Sequence, residues 1–150
     1  MEQREQHPLF ESDAGNQLPP LSLLIEAENS ISTVSESTLS YTSRLIETRL
    51  NDFGVQVRVV SAQPGPVVTQ YEIEPAVGVK GSQIVSLAKD LARSLSLLSI
   101  RVVETIPGKS FMGLELPNTK REIVRLSEVL GSDSFIDNSA TLPLALGKDI

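Results

Sequence analysis

The 150-residue sequence contains no cysteine and no tryptophan, and its single histidine is His7. The lack of cysteine excludes disulfide scaffolds, thiolate zinc sites, CxxC redox centres and cysteine nucleophiles. A Ser-His-Asp triad would require His7, near the N-terminus, to reach into the body of the fold. Aromatic residues make up 4% of the chain and do not alternate with basic ones, which argues against a stacking platform for single-stranded nucleic acid.

Long apolar runs are also lacking. No stretch approaches the roughly 20 apolar residues that a membrane-spanning helix needs. The first five residues, Met1–Glu5, include two glutamates, which makes this end too acidic for a signal peptide. From the sequence we expect a cytoplasmic chain with no direct membrane contact of its own.

Acidic residues are in excess, but only in one part of the chain. The net charge is −6, and an acidic domain argues against nucleic-acid binding. However, residues 1–40 carry seven acidic side chains against Arg4, whereas the other 110 residues carry 12 acids and 12 bases. We therefore predict a disordered acidic linker or tail over residues 1–17 and one folded domain over residues 18–150. Within this domain, the apolar, proline-interrupted residues 18–34 are predicted to dock on a surface. An apolar linker without a defined binding surface explains their composition nearly as well.

Hydrophobic periodicity predicts an α+β fold, with a mostly antiparallel sheet of two β-hairpins plus short strands and with helices packed on one face. The first helix is capped by Thr33, Ser35 or Ser37 and ends near Gly54. A first hairpin is predicted from strands over Val55–Val60 and Val67–Glu74, followed by a helix that is capped by Ser82 and whose apolar stripe runs to Leu98. A second hairpin is predicted from strands over Ile100–Ile106 and Phe111–Leu116. The remaining predicted elements are a short strand over Glu122–Leu126, a short helix over Ser127–Leu130, a polar loop over 133–141 and a final strand over Leu142–Leu146.

Two patterns resemble catalytic or nucleotide-binding motifs but lack residues that such motifs need. Gly108-Lys109-Ser110 resembles the end of a phosphate-binding loop, but Val103 stands where that loop needs its first glycine and Pro107 removes a backbone amide. Glu72 and Glu74 share one face of a strand, yet no histidine or second carboxylate pair accompanies them, so we predict a solvated sheet face. The sequence thus offers no catalytic, cofactor-binding or metal-binding residues.

Basic residues form two small clusters. Lys89 and Arg93 lie four residues apart on the polar side of a predicted helix, and the second cluster consists of Lys120, Arg121 and Arg125. Such stripes can contact phosphates without sequence specificity. Ordinary solvated faces or salt bridges between subunits explain them more simply, and from spacing alone we favour that interpretation.

Five stretches, in the same order, resemble the α domain of the FtsK/SpoIIIE family of DNA translocases over roughly residues 18–150, most closely that of the bacterial cell-division members. They are Ser61–Glu72, Leu87–Leu95, Arg101–Lys109, Gly113–Asn118 and Leu146–Ile150.

The resemblance implies a setting for the domain. In that family an ATPase β domain, which binds ATP and magnesium, follows the α domain, and we expect it after Ile150. Six motor units form a hexameric ring around double-stranded DNA, and the parent protein is anchored in the inner membrane at the division septum, where it moves chromosomal DNA. No catalytic residue carries over to this chain, so the resemblance implies a non-catalytic ring or collar. Its expected DNA-facing residues are Lys89, Arg93, Lys120 and Arg121.

The competing hypothesis is a stand-alone oligomerisation or adaptor domain without a motor. A small enzyme with an unrecognised site is disfavoured, because no serine, threonine, lysine or carboxylate lies close in sequence to a catalytic base. A Walker A lysine shortly after Ile150 in the encoding gene would favour the translocase over the adaptor.

Overall fold

A computed structural model describes residues 19–27 and 34–148 of the chain. Across these residues the secondary structure consists of a 3₁₀ turn at Leu21–Leu23, helix α1 at Glu36–Asp52, strands β1 at Val57–Pro64 and β2 at Val68–Pro75, helix α2 at Gly81–Ser94, strands β3 at Arg101–Val103 and β4 at Met112–Pro117, and the short helices α3 at Leu126–Leu130 and α4 at Asp133–Ile136.

The strands form one four-stranded antiparallel sheet in the order β1-β2-β4-β3. Both predicted hairpins are present, since β1 pairs with β2 and β3 pairs with β4. The central pairing joins β2 to β4 and places Tyr71 opposite Leu114 and Ile73 opposite Met112. The predicted α+β fold with a mostly antiparallel sheet is confirmed.

The hydrophobic core lies between one face of the sheet and helices α1 and α2. Each helix contributes two fully buried aliphatic side chains, and alternate residues of the strands complete the layer. Burial of each such side chain stabilises the fold by about 1.5–3 kcal/mol. The fully buried members are Ile46, Leu50, Ile73, Ile84, Leu91 and Leu114.

Strand β1 carries a bulge between Val59 and Ser61. The extra residue, Val60, lets Val59 and Ala62 both pack against the core. A polar group at the bulge is paired outside the sheet, because the backbone N–H of Val59 donates a hydrogen bond to Oε1 of Glu47 at 2.7 Å. Helix α1 therefore covers this edge of the sheet with both apolar and polar contacts.

Helix α1 begins and ends close to the predicted positions. Of the three predicted caps, Ser35 is the N-cap, and its hydroxyl accepts a hydrogen bond from the N–H of Thr38 at 3.3 Å. Thr33 lies outside the described residues. At the other end Gly54 has φ +78°, and the N–H of Val55 donates to the carbonyl of Leu50 at 2.9 Å. This is a Schellman ending, in which glycine adopts the left-handed conformation without a Cβ penalty.

Helix α2 differs from prediction at both ends. It begins after Lys80, not Ser82, because the Gln83 side chain reaches back to accept from the N–H of Lys80 at 2.9 Å. It ends at Ser94 with another Schellman ending, in which Ser96 has φ +56° and the N–H of Leu97 donates to the carbonyl of Ala92. The chain turns there, so Leu98 leaves the predicted apolar stripe and is 94% exposed.

The segments after β4 also depart from prediction. Glu122–Leu126 forms no strand: instead of joining a ladder, the N–H of Glu122 donates to the carbonyl of Pro66 in the turn between β1 and β2, at 2.8 Å. Leu142–Leu146 forms no strand either, because no strand among the described residues pairs with it. The predicted helix over Ser127–Leu130 is confirmed as α3, whereas α4 replaces part of the predicted polar loop.

The two outer segments of the described chain meet at α3. The Ser127 hydroxyl donates to the carbonyl of Ile25 at 2.7 Å, and Nζ of Lys148 donates to Glu128 at 3.1 Å. The predicted tail over residues 1–17 lies outside the described residues. The docking prediction for residues 18–34 stays a prediction, although its described part, residues 19–27, contacts α3 through Ile25.

Ser96 supplies a test of the α2 ending. Because only glycine adopts a positive φ freely, we expect Ser96→Gly to raise the free energy of unfolding by about 0.5–1 kcal/mol. Urea denaturation followed by circular dichroism measures the change. Ser99→Gly, which changes an exposed residue outside the left-handed region, is the matched control and should not stabilise. Equal effects of the two variants would contradict the strain at Ser96.

Candidate functional site

The first basic cluster lies on the outer side of α2. Lys89 and Arg93 are both exposed, one helical turn apart. Arg93 forms an ion pair with Asp90 on the same helix, whereas Lys89 has no ion pair among the described residues. Both cations line a groove of about 960 Å³ between α2 and the turn that follows it, which we call the α2 groove. Leu98 also lines this groove, together with Val85 and the small residues Ala88 and Ala92.

The second basic cluster follows β4. Lys120 and Arg121 are exposed and have no ion pair within the part of the chain that the structure describes. Lys120 lies beside a cleft of about 300 Å³ between the start of α1 and the end of β4. Hydroxyl groups line much of that cleft, from Ser35, Thr38, Thr42, Thr69, Tyr71 and Thr119.

Tyr71 contributes a buried phenol to this cleft, with only 3% of the residue exposed. Burial raises the pKa of Tyr71 above its usual value, and a hydrogen bond with the Thr42 side chain lowers it in part. The net direction is upward, so the phenol is neutral at physiological pH. The cleft thus presents neutral hydroxyls with a single lysine at its border.

The structure does not gather the four predicted DNA-facing residues into one cluster. Lys89 and Arg93 line the α2 groove, and Lys120 lines the separate cleft. Leu97 lies on the border of both. Sequence spacing shows only which residues are neighbours along one helix or loop. It therefore does not predict that one cluster lies in the α2 groove and the other beside a separate cleft.

The face of the sheet away from the helices carries paired charges. Arg58 donates to Glu74 at 2.7 Å, and Arg101 contacts both carboxylate oxygens of Glu115 at 3.0 Å. The arginine side chains are about three-quarters exposed, so each pair contributes little stability in water. This face is therefore polar but balanced in charge.

Glu72 is an exception on this face, and it corrects the prediction of a solvated carboxylate pair. Its side chain is 5% exposed and accepts a hydrogen bond from Nζ of Lys109 at 2.5 Å. Lys109 comes from the loop between β3 and β4, so the ion pair holds that loop against β2. Alternation along a strand shows which residues share a face, but it does not show which of them a distant loop covers.

The ion pair determines the ionisation of Glu72. The hydrogen bond from Lys109 lowers the pKa of Glu72 below its usual value, against the effect of burial, which raises it. The Ser61 hydroxyl makes no hydrogen bond of ordinary geometry, yet it lies close enough to lower this pKa further. Glu72 is therefore a buried carboxylate that stays charged because Lys109 neutralises it.

Lys109→Met tests this ion pair, because it keeps an apolar stem and removes the charge. We expect a loss of about 1–2 kcal/mol in the free energy of unfolding at neutral pH, since Glu72 is left buried without its donor. The pair lowers the folded-state pKa, so its stabilisation is present above the unfolded-state pKa and is lost as pH falls through the folded-state value. The difference between the two proteins should therefore shrink in acid.

Chemical denaturation across the acidic range measures this effect. Lys120→Met, which removes an exposed lysine without an ion pair in the described chain, is the matched control. A difference that is independent of pH would contradict the assignment.

Lys109 also determines what the Gly108-Lys109-Ser110 stretch can bind. Its ammonium group is engaged by Glu72, and Ser110 is followed by β4 instead of the helix that a phosphate loop requires. This stretch therefore does not fit ATP with magnesium. Among the described residues there is also no group of three or more histidine, cysteine, aspartate or glutamate side chains placed to hold a metal ion.

Several residues of the five family-like stretches hold one another in place. The Asn118 side chain donates to the carbonyl of Gly65 and accepts from the Thr69 hydroxyl, both at 2.7 Å. A Cβ atom at Gly113 would lie 2.9 Å from Nε2 of Gln70 and 3.3 Å from Cβ of Val103. These stretches therefore encode contacts across the β2–β4 and β3–β4 pairs, which spacing along the chain does not reveal.

Residues 18–118 match the family described as the FtsK alpha domain. The chain belongs to this family. It is 62% identical over 150 residues to DNA translocase FtsK 2 of Ralstonia nicotianae. The matched region covers 100% of this chain and 19% of that relative. It is 54% identical over 147 residues to DNA translocase FtsK of Pseudomonas aeruginosa and to DNA translocase FtsK 1 of Neisseria meningitidis, with 97% and 95% of this chain covered.

This FtsK alpha domain chain spans less than a fifth of the length of these curated relatives, 18–19%. The family match ends at Asn118, whereas the similarity to the Ralstonia relative continues through residue 150. No helix among the described residues is both long and apolar enough to cross a membrane.

Proposed function

We propose that this chain is a non-catalytic ring domain, or collar, of a protein that uses ATP to move double-stranded DNA. The observation that carries the proposal is the 54–62% identity to relatives that are named DNA translocases. In this proposal six copies surround DNA, and the protein moves chromosomal DNA at the division septum from an anchor in the inner membrane. In this proposal ATP and magnesium bind in an adjacent ATPase domain, since the Gly108-Lys109-Ser110 stretch does not fit them.

The charge distribution supports a domain through which DNA slides. Residues 41–150 carry equal numbers of acidic and basic side chains, and three ion pairs neutralise the open sheet face. Each interaction with a phosphate adds affinity, so a nearly neutral collar would hold moving DNA only weakly. In this proposal Lys120 and Arg121 are the DNA-facing cations, because they are two adjacent exposed cations without an ion pair in the described chain, whereas Lys89 lies beside Arg93, which Asp90 neutralises.

Charge reversal at Lys120 and Arg121 tests the DNA contact in the complete translocase. We expect K120E/R121E to weaken DNA stimulation of ATP hydrolysis and to reduce the salt dependence of DNA binding, by about 0.9 in log–log slope for each phosphate that is no longer neutralised. Binding is measured by fluorescence anisotropy over a salt series. Arg44→Glu, an exposed change on α1, is the control. Unchanged slope and stimulation in K120E/R121E would overturn this DNA contact.

The end of the described chain supports a contact with the ATPase domain. Leu142, Leu144 and Leu146 are 80%, 73% and 94% exposed. Large aliphatic side chains exposed so close together are typical of a protein–protein contact. We assign the ATPase domain, expected after Ile150, as their partner.

Leu144→Ser with Leu146→Ser tests that contact. Because both side chains are exposed, we expect the stability of the isolated chain to change by less than about 0.5 kcal/mol. In the complete translocase we expect fewer base pairs moved for each ATP hydrolysed, measured by triplex displacement alongside phosphate release. Val77→Ser, at a fully exposed loop residue, is the control. Normal coupling in the double variant would contradict the contact.

A further inference from the structure

The α2 groove has the composition of a protein-binding surface. Leu98 is 94% exposed and Val85 is 39% exposed, and both line the groove beside the small residues Ala88 and Ala92. The Schellman ending at Ser96 directs Leu98 outward, away from the core. A large aliphatic side chain held in this way at the edge of a groove marks a contact for another apolar group.

The charge of the groove favours an acidic partner, and its apolar walls favour a peptide over DNA. Lys89 has no ion pair among the described residues, whereas Asp90 already neutralises Arg93. One unneutralised cation between aliphatic side chains is a poor site for a DNA backbone, which is bound through several cations. It suits a short segment that combines aliphatic residues with one carboxylate.

The chain itself contains such a segment in residues 19–27, which we call the arm. Leu21, Leu23 and Ile25 of the arm are 52%, 74% and 71% exposed, and Glu26 is exposed next to them. The carbonyl of Ile25 accepts a hydrogen bond from Ser127. The arm is therefore joined to α3 through its backbone, while three of its four large aliphatic side chains, all except the half-buried Leu24, are exposed.

We propose that the arm of one copy binds the α2 groove of a second copy, with the leucines of the arm against Leu98 and Val85 and with Glu26 near Lys89. No arm residue lines the groove of its own chain. The contact joins two different surfaces, and such heterologous contacts generate rings when the rotation closes. The inference rests on the proposed function, because it names the contact that builds the proposed ring.

Site-directed cross-linking tests the contact, and the absence of native cysteine makes it direct. A tagged chain carrying Leu23→Cys is mixed with an untagged chain carrying Leu98→Cys and oxidised. We expect a mixed disulfide band. The matched control replaces Leu98→Cys with Val77→Cys, which is fully exposed and lies outside the groove. Equal yields in the two mixtures, or no mixed disulfide at any soluble concentration, overturn the contact.

A charge swap separates this contact from DNA binding. We expect Lys89→Glu to weaken self-association about fivefold in sedimentation velocity, and we expect Glu26→Lys in the same chain to restore it. Arg44→Glu, a matched charge reversal on α1, should leave association unchanged. If Lys89→Glu instead lowers the affinity for a short DNA duplex and leaves association intact, the groove is a DNA contact and the proposal is wrong.

Sizing distinguishes a failure of this contact from a failure of the proposed ring. Chains that still assemble by light scattering, but give no Leu23→Cys to Leu98→Cys disulfide, overturn the arm contact and leave the ring in place. Translocation by the complete protein, measured separately, tests the proposed function.

Discussion

The pairing of β2 with β4 is the interaction on which the rest of the structure depends. It joins two local hairpins into one sheet and brings Tyr71 and Ile73 against Leu114 and Met112. Without it, each hairpin would be a two-stranded unit of marginal stability in water. Helices α1 and α2 then have a continuous apolar surface on which to pack. The pairing also brings Asn118 beside the turn at Gly65, and it leaves room beside Gly113 for the Gln70 side chain.

Much of this fold could be predicted from the sequence, because its central elements bury one face. Apolar spacing in α1 and alternation in β2 report burial directly, and a buried face fixes both type and register. The same signal failed after β4. Leu142, Leu144 and Leu146 alternate like a strand, but alternation describes a face and does not supply a neighbouring strand. The sequence does not predict where α2 ends for another reason. Serine occupies position 96, where glycine is the usual sign of a helix end.

The candidate site was less predictable than the fold. Helical spacing correctly put Lys89 and Arg93 on one exposed face, because that relation is local. Their separation from Lys120 depends on how α2 and the end of β4 pack, and no pattern along the chain encodes it. The same holds for Glu72, whose burial results from a loop 37 residues away in sequence. Contacts between distant segments therefore determine which charged residues remain available to a partner.

The two contacts on α3 have a mechanical consequence. Ile25 and Lys148 are bound by Ser127 and Glu128, which are adjacent in sequence. The two outer segments of the described chain therefore lie close together on α3. Tension applied between these two segments would load the two surface contacts on α3 before it reached the strands of the sheet.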